Sequence, residues 1–224
     1  MTFLRSKPMK NYIFDLDGTI LNTISGIRYA INEALETNGF PYRYDDSSAK
    51  RLIGDGTDAL VHRALQDQDN PKNFALIKAA YMPRYRANQE IHTSLFPGVK
   101  EALEHLRKEG AQLFVCTNKP DALAQRIVTK FYGTDFFTEI RGLRDGEAPK
   151  PNPAIVNAFF ASHPDLKHEE TLFVGDSITD YHTANNAKLL CGICLWGYGR
   201  YEEDWLTHCA YRFTKPEDLW NTFF

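Results

Sequence analysis

The chain has 224 residues, room for one large domain or a domain with a smaller insert, and 43% apolar with 13% aromatic content is enough to build a substantial core. A formal net charge of −3, without any basic run, leaves no electrostatic footprint for nucleic acid. No stretch approaches the roughly 18 apolar residues of a membrane helix and the opening MTFLRSKPMK has no signal-peptide core, so the expectation is a soluble cytoplasmic protein with neither membrane nor nucleic-acid partners.

Tyr12-Ile13-Phe14 is a short apolar run closed abruptly by Asp15-Leu16-Asp17-Gly18-Thr19. A run of this length ended by a turn signal predicts a buried parallel strand. Two carboxylates then stand at its exit, and Gly18 lets the chain turn sharply and brings backbone N–H groups close to whatever the carboxylates face. Such a pair suits phosphoryl transfer, one carboxylate attacking phosphorus while the other handles a proton. Asn22 or Thr23 can cap a following helix, in which Ile24, Ile27, Ile31 and Leu35 recur at helical spacing before Gly39-Phe40-Pro41 ends it. Ser47 or Ser48 can cap a short helix reaching Ile53. Gly54-Asp55-Gly56 breaks it, and Thr57 restarts a helix to about Gln66. Asn70-Pro71 opens another toward Asn88, which Pro83 is expected to kink or interrupt. Residues 22–92 therefore read as all-helical.

From Phe96-Pro97-Gly98 onward strands and helices alternate. The pattern predicts a helix over 99–109, a strand over Leu113–Cys116, a helix over 121–131 and a weaker strand over 139–143. A helix over 153–162, a strand over Leu172–Val174 and a helix over 178–188 come next. The end of the chain reads as a strand over Leu190–Leu195, a short strand at Tyr211–Phe213 and a C-terminal helix. Alternation of this kind implies an α/β, doubly wound parallel sheet, Rossmann-like, made of residues 1–21 and 93–224. The all-helical stretch 22–92 is then an insert hung on two connections, the usual build of a mobile lid. Cys191-Gly192-Ile193-Cys194 lies in an apolar segment and reads as core cysteines, not a redox or zinc motif.

Parallel strands expose their carboxyl ends on one side, where open sheets bind ligands. Asp15 and Asp17, Thr117 and Asn118, and Asp176 and Asp180 all follow apolar runs, and Lys150 lies in the loop between the second and third. If ionised, Asp15, Asp17, Asp176 and Asp180 outnumber the Lys150 ammonium by three charges. A dianionic phosphate would be repelled unless a cation such as Mg²⁺, with its preference for oxygen ligands, joined them.

These motifs, in this order, resemble those of haloacid dehalogenase superfamily phosphatases carrying a helical cap of the first insertion type. The resemblance rests on Asp15-Leu16-Asp17-Gly18-Thr19, on Thr117 with Asn118-Lys119-Pro120, on Pro149-Lys150-Pro151 and on Gly175-Asp176-Ser177 with Asp180 four residues beyond Asp176. It implies Asp15 as nucleophile through an aspartyl-phosphate and Asp17 as general acid and base. Thr117 and Lys150 would hold the phosphoryl oxygens, with Gly18 and Asn118 assisting. Mg²⁺ would be bound by Asp15, Asp176 and the Asp17 carbonyl, with Ser177 and Asp180 further out. Dehalogenases lack the second aspartate, so Asp17 points to phosphate and not halide as the group displaced. The segment SSAKRLIGDGTDALVHRAL and Gly197-Tyr198-Gly199 resemble bacterial phosphoglycolate phosphatases, which places Arg51 and Asp55 among substrate-facing residues and implies a small phosphate ester bearing a carboxylate. Asp55 departs from the neutral residue expected between the cap glycines; Lys50, Arg51, His62 or Arg63 can compensate for it. The alternatives are a 5'-nucleotidase, a sugar-phosphate phosphatase or mutase of the same superfamily, and a non-catalytic binding protein on the same scaffold.

Overall fold

The computed structural model describes residues 8–222 other than Gly54 and Glu202, so the opening residues and Gly54 of the expected cap turn lie outside the described residues. Within it, β1 (Asn11–Phe14), β2 (Gln112–Pro120), β3 (Glu139–Leu143), β4 (Thr171–Gly175), β5 (Leu190–Cys194) and β6 (Tyr211–Phe213) form one parallel sheet in the order β3-β2-β1-β4-β5-β6. The helices are α1 (Ile24–Thr37), α2 (Asp46–Ala49), α3 (Gly56–Leu65), α4 (Pro71–Asn88), α5 (Val99–Lys108), α6 (Asp121–Tyr132), α7 (Ala154–Ser162), α8 (Ile178–Asn186) and α9 (Glu203–Leu206).

Strand β1 is central, with Phe14 opposite both Val115 and Val174, and every one of its residues is buried. Burial on both faces is why it carries no polar alternation. Tyr12, Phe14, Leu113, Val115, Leu172 and Val174 pack on one face against α5 and α6. Ile13, Phe114, Cys116, Phe173 and Ile193 pack on the other against α7 and α8. Strand order reverses at β1, and that reversal opens a crevice beyond the carboxyl ends of the strands. Cys116, Cys191 and Cys194 are free and buried.

The helical block has its own apolar cluster, built from Ile24, Ile27, Ile31 and Leu35 of α1, Leu60, Val61 and Leu65 of α3, and Ile77, Tyr81 and Tyr85 of α4. At about 1.5–3 kcal/mol for each buried Ile or Leu, these contacts give the block a core separate from that of the sheet. Leu123 and Tyr198 join it from the sheet side. Where the block leaves the sheet, Asn22 and Ser94 exchange backbone hydrogen bonds of 2.8 and 3.1 Å.

The structure departs from the sequence expectations at five points. Thr23 occupies the N-cap position of α1 but its side chain makes no capping bond; the Tyr198 hydroxyl accepts from Thr23 N and Ile24 N instead, at 2.7 and 3.1 Å. The short helix α2 is capped by Asp45, whose carboxylate accepts from Ser48 N at 2.7 Å, and not by Ser47 or Ser48. Pro83 does not interrupt α4, because Pro83 and Ala79 are both exposed: the carbonyl that loses its partner faces water, while the buried stripe of Ile77, Tyr81 and Tyr85 holds the helix in place. Strand β2 does not stop at Cys116 but runs on to Pro120, with a register shift against β3. Among the described residues the last element is a 3₁₀ segment, Pro216–Thr222, and the unforeseen α9 comes before β6.

Candidate active site

The exits of β1, β2 and β4 and the loop carrying Lys150 meet in a single cavity of about 330 Å³, closed from above by α3 and α4. On leaving β1 the chain stays in the sheet for one more hydrogen bond, Asp15 N to Val174 O at 2.8 Å. It then wraps tightly, with Leu16 O accepting from Thr19, Ile20 and Leu21 N. Gly18 has φ +91°, and a Cβ there would run into the Asp176 carboxylate, so only glycine lets the two exits approach this closely. Its own N–H is taken by Leu21 O at 2.9 Å, so Gly18 contributes proximity and not a free donor.

Lys150 is buried, and its Nζ lies 2.7 Å from both Asp15 Oδ1 and Asp180 Oδ1. Burial presses its ammonium toward the neutral form, and the charges of Asp15 and Asp180 more than reverse this. Asn118 positions the lysine: its side chain donates to Lys150 O at 3.1 Å and accepts from Lys150 N at 2.7 Å. The Asn118 side chain is thereby committed to the Lys150 loop. Asp180 caps α8 through its second oxygen, which accepts from Ser177 N at 3.0 Å and Ser177 Oγ at 2.7 Å. Asp176 accepts from Tyr198 N at 2.6 Å and Thr19 Oγ1 at 3.3 Å. Thr117 is buried in the second half of β2; its hydroxyl accepts from Lys119 N at 3.2 Å and keeps its proton free to donate into the cavity.

Carboxylate oxygens of Asp15, Asp176 and Asp180 all lie within 4.8 Å of one another, and all three residues are buried. Burial first, then the charges of Asp180 and Asp17, pushes the Asp15 carboxyl up to about 7 against the pull of Lys150. Burial likewise raises the Asp176 carboxyl well above the ordinary range, with Asp180 and Asp15 adding to the rise. A cluster of buried oxygen donors destabilised by its own charge fits a hard divalent cation such as Mg²⁺.

Asp17 is less enclosed. Its Oδ1 forms no aligned hydrogen bond but sits 2.9 Å from Lys119 Nζ. Lys119 and its partner Tyr85 were not singled out by sequence. Strand alternation beyond Cys116 would have placed Lys119 on the buried face with Thr117. On the upper wall, Asp55 pairs with Arg63 Nη2 and also accepts from Thr179 Oγ1 at 2.9 Å, tying helical block to sheet. His62 pairs with Asp69 at 2.9 Å and stacks on Phe74, so it is spent within the block. Arg51, Lys50 and Arg200 line the mouth of the cavity, and among the described residues none is ion-paired.

Residues 12–192 match the family of haloacid dehalogenase-like hydrolases. The phosphoglycolate phosphatase of Cereibacter sphaeroides is 34% identical over 194 residues, covering 85% of this chain and 87% of the relative. That of an Aliivibrio fischeri strain is 32% identical over 200 residues, covering 87% of each. Among solved structures, one described as a predicted phosphoglycolate phosphatase from Haemophilus somnus superposes with a TM-score of 0.84 at 29% identity, covering 95% of this chain and 97% of that one. With Asp15, Thr117, Lys150 and the Asp176–Asp180 pair gathered at one rim of the sheet, the chain belongs to the haloacid dehalogenase-like hydrolases.

Proposed function

We propose that this hydrolase cleaves a small phosphate monoester bearing a second anionic group, with phosphoglycolate as the leading candidate. The observation that carries the chemistry is the placement of Lys150 Nζ 2.7 Å from Asp15 in a buried pocket floor shared with Thr117 and Asp176. In the first step an Asp15 oxygen bonds to phosphorus, the ester P–O bond breaks, and the departing alkoxide takes the Asp17 proton. In the second, Asp17 takes a proton from water, that water's oxygen bonds to phosphorus, and the acyl phosphate bond to Asp15 breaks to free phosphate. Lys150 and the Thr117 hydroxyl hold the phosphoryl oxygens as charge gathers on them. Asp15, Asp176 and the Asp17 carbonyl would hold Mg²⁺, with Asp180 and Ser177 outside them. The ion would supply positive charge to offset phosphate against the buried carboxylates.

The substrate class rests on the mouth of the cavity and on the relatives' names. Asp55 is neutralised by Arg63, which leaves Lys50, Arg51 and Arg200 to face a substrate carboxylate. The helical stretch 22–92 serves as a lid turning on the paired Asn22 and Ser94, admitting substrate and then excluding water. A phosphate-release screen over phosphoglycolate, nucleoside monophosphates and sugar phosphates, with and without chelator, tests both parts. Fastest release from phosphoglycolate, lost on chelation and restored by Mg²⁺, is expected. Preference for a nucleotide or an uncharged sugar phosphate would overturn the substrate, transfer of phosphate to another sugar without release would make it a mutase, and chelator-resistant release would overturn the metal.

A further inference from the structure

Each acid of the pocket floor is held by a fixed partner: Asp15 by Lys150, Asp176 by Tyr198 N, Asp180 by Lys150 and Ser177. Asp17 is held differently. Its one close partner among the described residues is Lys119, whose side chain is only 1% exposed. Lys119 Nζ donates in turn to the Tyr85 hydroxyl and lies 4.8 Å from the centroid of that ring, and Tyr85 stacks on Tyr81 at 5.3 Å. Asp17 and Lys119 belong to the sheet, whereas Tyr81 and Tyr85 belong to α4 of the helical block. The chain of contacts from Tyr81 to Asp17 therefore exists only while that block is seated on the sheet.

We propose that Lys119 and Tyr85 form a positioning pair that fixes the Asp17 carboxyl beside the leaving oxygen once the helical block is seated. The proposal rests on the reading of Asp17 as the proton donor, and it assigns Lys119 a task distinct from that of Lys150. Lys150 faces Asp15 and Asp180 from beneath; among the described acids Lys119 pairs only with Asp17, and it does so from a strand end gripped by the lid. With Lys119 Nζ on Asp17 Oδ1, the second oxygen is left to carry the proton toward the substrate, and the contact with the ammonium limits where that oxygen can point. Burial, and then the nearby Asp17 charge, hold the Tyr85 hydroxyl in its neutral form, so it stays an oxygen acceptor for the ammonium. Seating the lid would thus complete the acid at the moment water is shut out.

The test uses leaving groups. p-Nitrophenolate departs without a proton, whereas an alkoxide requires one, so a defect in the acid shows on alkyl phosphates and spares p-nitrophenyl phosphate when the first step is read alone, as leaving-group release in a single turnover; the second step, in which Asp17 serves as base, is common to both esters. Lys119→Met, Lys119→Arg, Tyr85→Phe and Asp17→Asn are compared with the unaltered enzyme on p-nitrophenyl phosphate and on the alkyl phosphate turned over fastest in the release screen. Lys119→Met is expected to lose about tenfold or more in the single-turnover rate of alcohol release from the alkyl ester, a share of the roughly 10²–10⁴ that general acid catalysis supplies, with KM held within about twofold and a much smaller loss in the release of p-nitrophenolate. Tyr85→Phe should show the same selectivity at smaller amplitude, and Lys119→Arg should recover part of it. Should Lys119→Met fail to fold, Tyr85→Phe carries the test alone. Equal losses on both esters would reduce the pair to a structural role. A rise in KM without a fall in kcat would make Lys119 a substrate contact. Either result overturns the proposal while leaving Asp17 intact as acid. If Asp17→Asn itself shows no leaving-group selectivity, the reading of Asp17 fails and takes the pair with it.

Discussion

The floor and the mouth of the cavity are built on opposite plans. In the floor, Asp15, Lys150, Asp176 and Asp180 are buried and each is locked to at least one partner by a bond of 2.6–2.7 Å. At the mouth, Lys50, Arg51 and Arg200 are exposed and unpaired among the described residues, and even the Asp55–Arg63 pair has side chains 48% and 39% exposed. Desolvated ion pairs tolerate no missing member, whereas exposed charges interact weakly and adapt. The contrast assigns reaction type to the floor and choice of substrate to the mouth. It also predicts that damage to the floor is all-or-none and damage to the mouth graded.

The largest expected effect is on turnover. Asp15→Asn keeps the shape of the side chain, leaves Lys150 its contact with Asp180, and removes one of several like charges that burial makes costly. Turnover should fall by about 10⁴-fold or more, as for the loss of a nucleophile elsewhere, while the melting temperature stays level or rises. Measurable release at a tenth of the normal rate would show that the floor does not contain the attacking group.

Tyr198→Phe probes the seam between the regions. The Tyr198 hydroxyl accepts from the amides of Thr23 and Ile24 at the start of α1 and donates to Asn22 Oδ1 at 2.7 Å, while its own N–H holds Asp176. Deleting the hydroxyl strands buried N–H groups at the start of the helical block, at about 1–3 kcal/mol, read by chemical denaturation. The backbone bond to Asp176 survives, so turnover should suffer less than stability. A smaller loss is expected at the mouth. Arg51→Ala and Arg200→Ala should each weaken an anionic substrate by up to about 1 kcal/mol, a few-fold in KM, and added salt should shrink the difference. A loss of the size seen for Asp15→Asn would erase the distinction between floor and mouth.

Sequence displayed the floor and concealed its supports. Asp15 and Asp176 follow strand exits, Thr117 closes the apolar run of β2 and Lys150 sits in a stiff loop, and parallel topology alone brings such strand ends together. Tyr198, Lys119 and Tyr85 act through partners 175, 102 and 34 positions away, and no periodicity reports such pairings. Lys119 was hidden because the apolar run stops at Cys116 while the hydrogen-bonded strand runs on to Pro120. Pro83 misleads for the opposite reason: local propensity argues for a break, and tertiary packing of Tyr81 and Tyr85 overrides it.

Thr23 offers the smallest and sharpest test of the seam. By residue type it is the natural N-cap of α1, and helix rules assign its hydroxyl about 1 kcal/mol. In the structure Thr23 is 1% exposed, its Oγ1 makes no aligned hydrogen bond, and the opening amides of the helix are held by other groups, Thr23 N and Ile24 N by the Tyr198 hydroxyl and Gly26 N by the Thr23 carbonyl. Thr23→Val keeps the shape and removes a buried hydroxyl that lacks a partner, so stability should be unchanged or rise slightly. In a double-mutant cycle, Thr23→Val should matter more in the Tyr198→Phe background than in the unaltered chain, because only there does α1 need a cap from its own sequence. A loss of about 1 kcal/mol from Thr23→Val alone would mean that the helix is capped locally and that the sheet does not hold the helical block by its first turn.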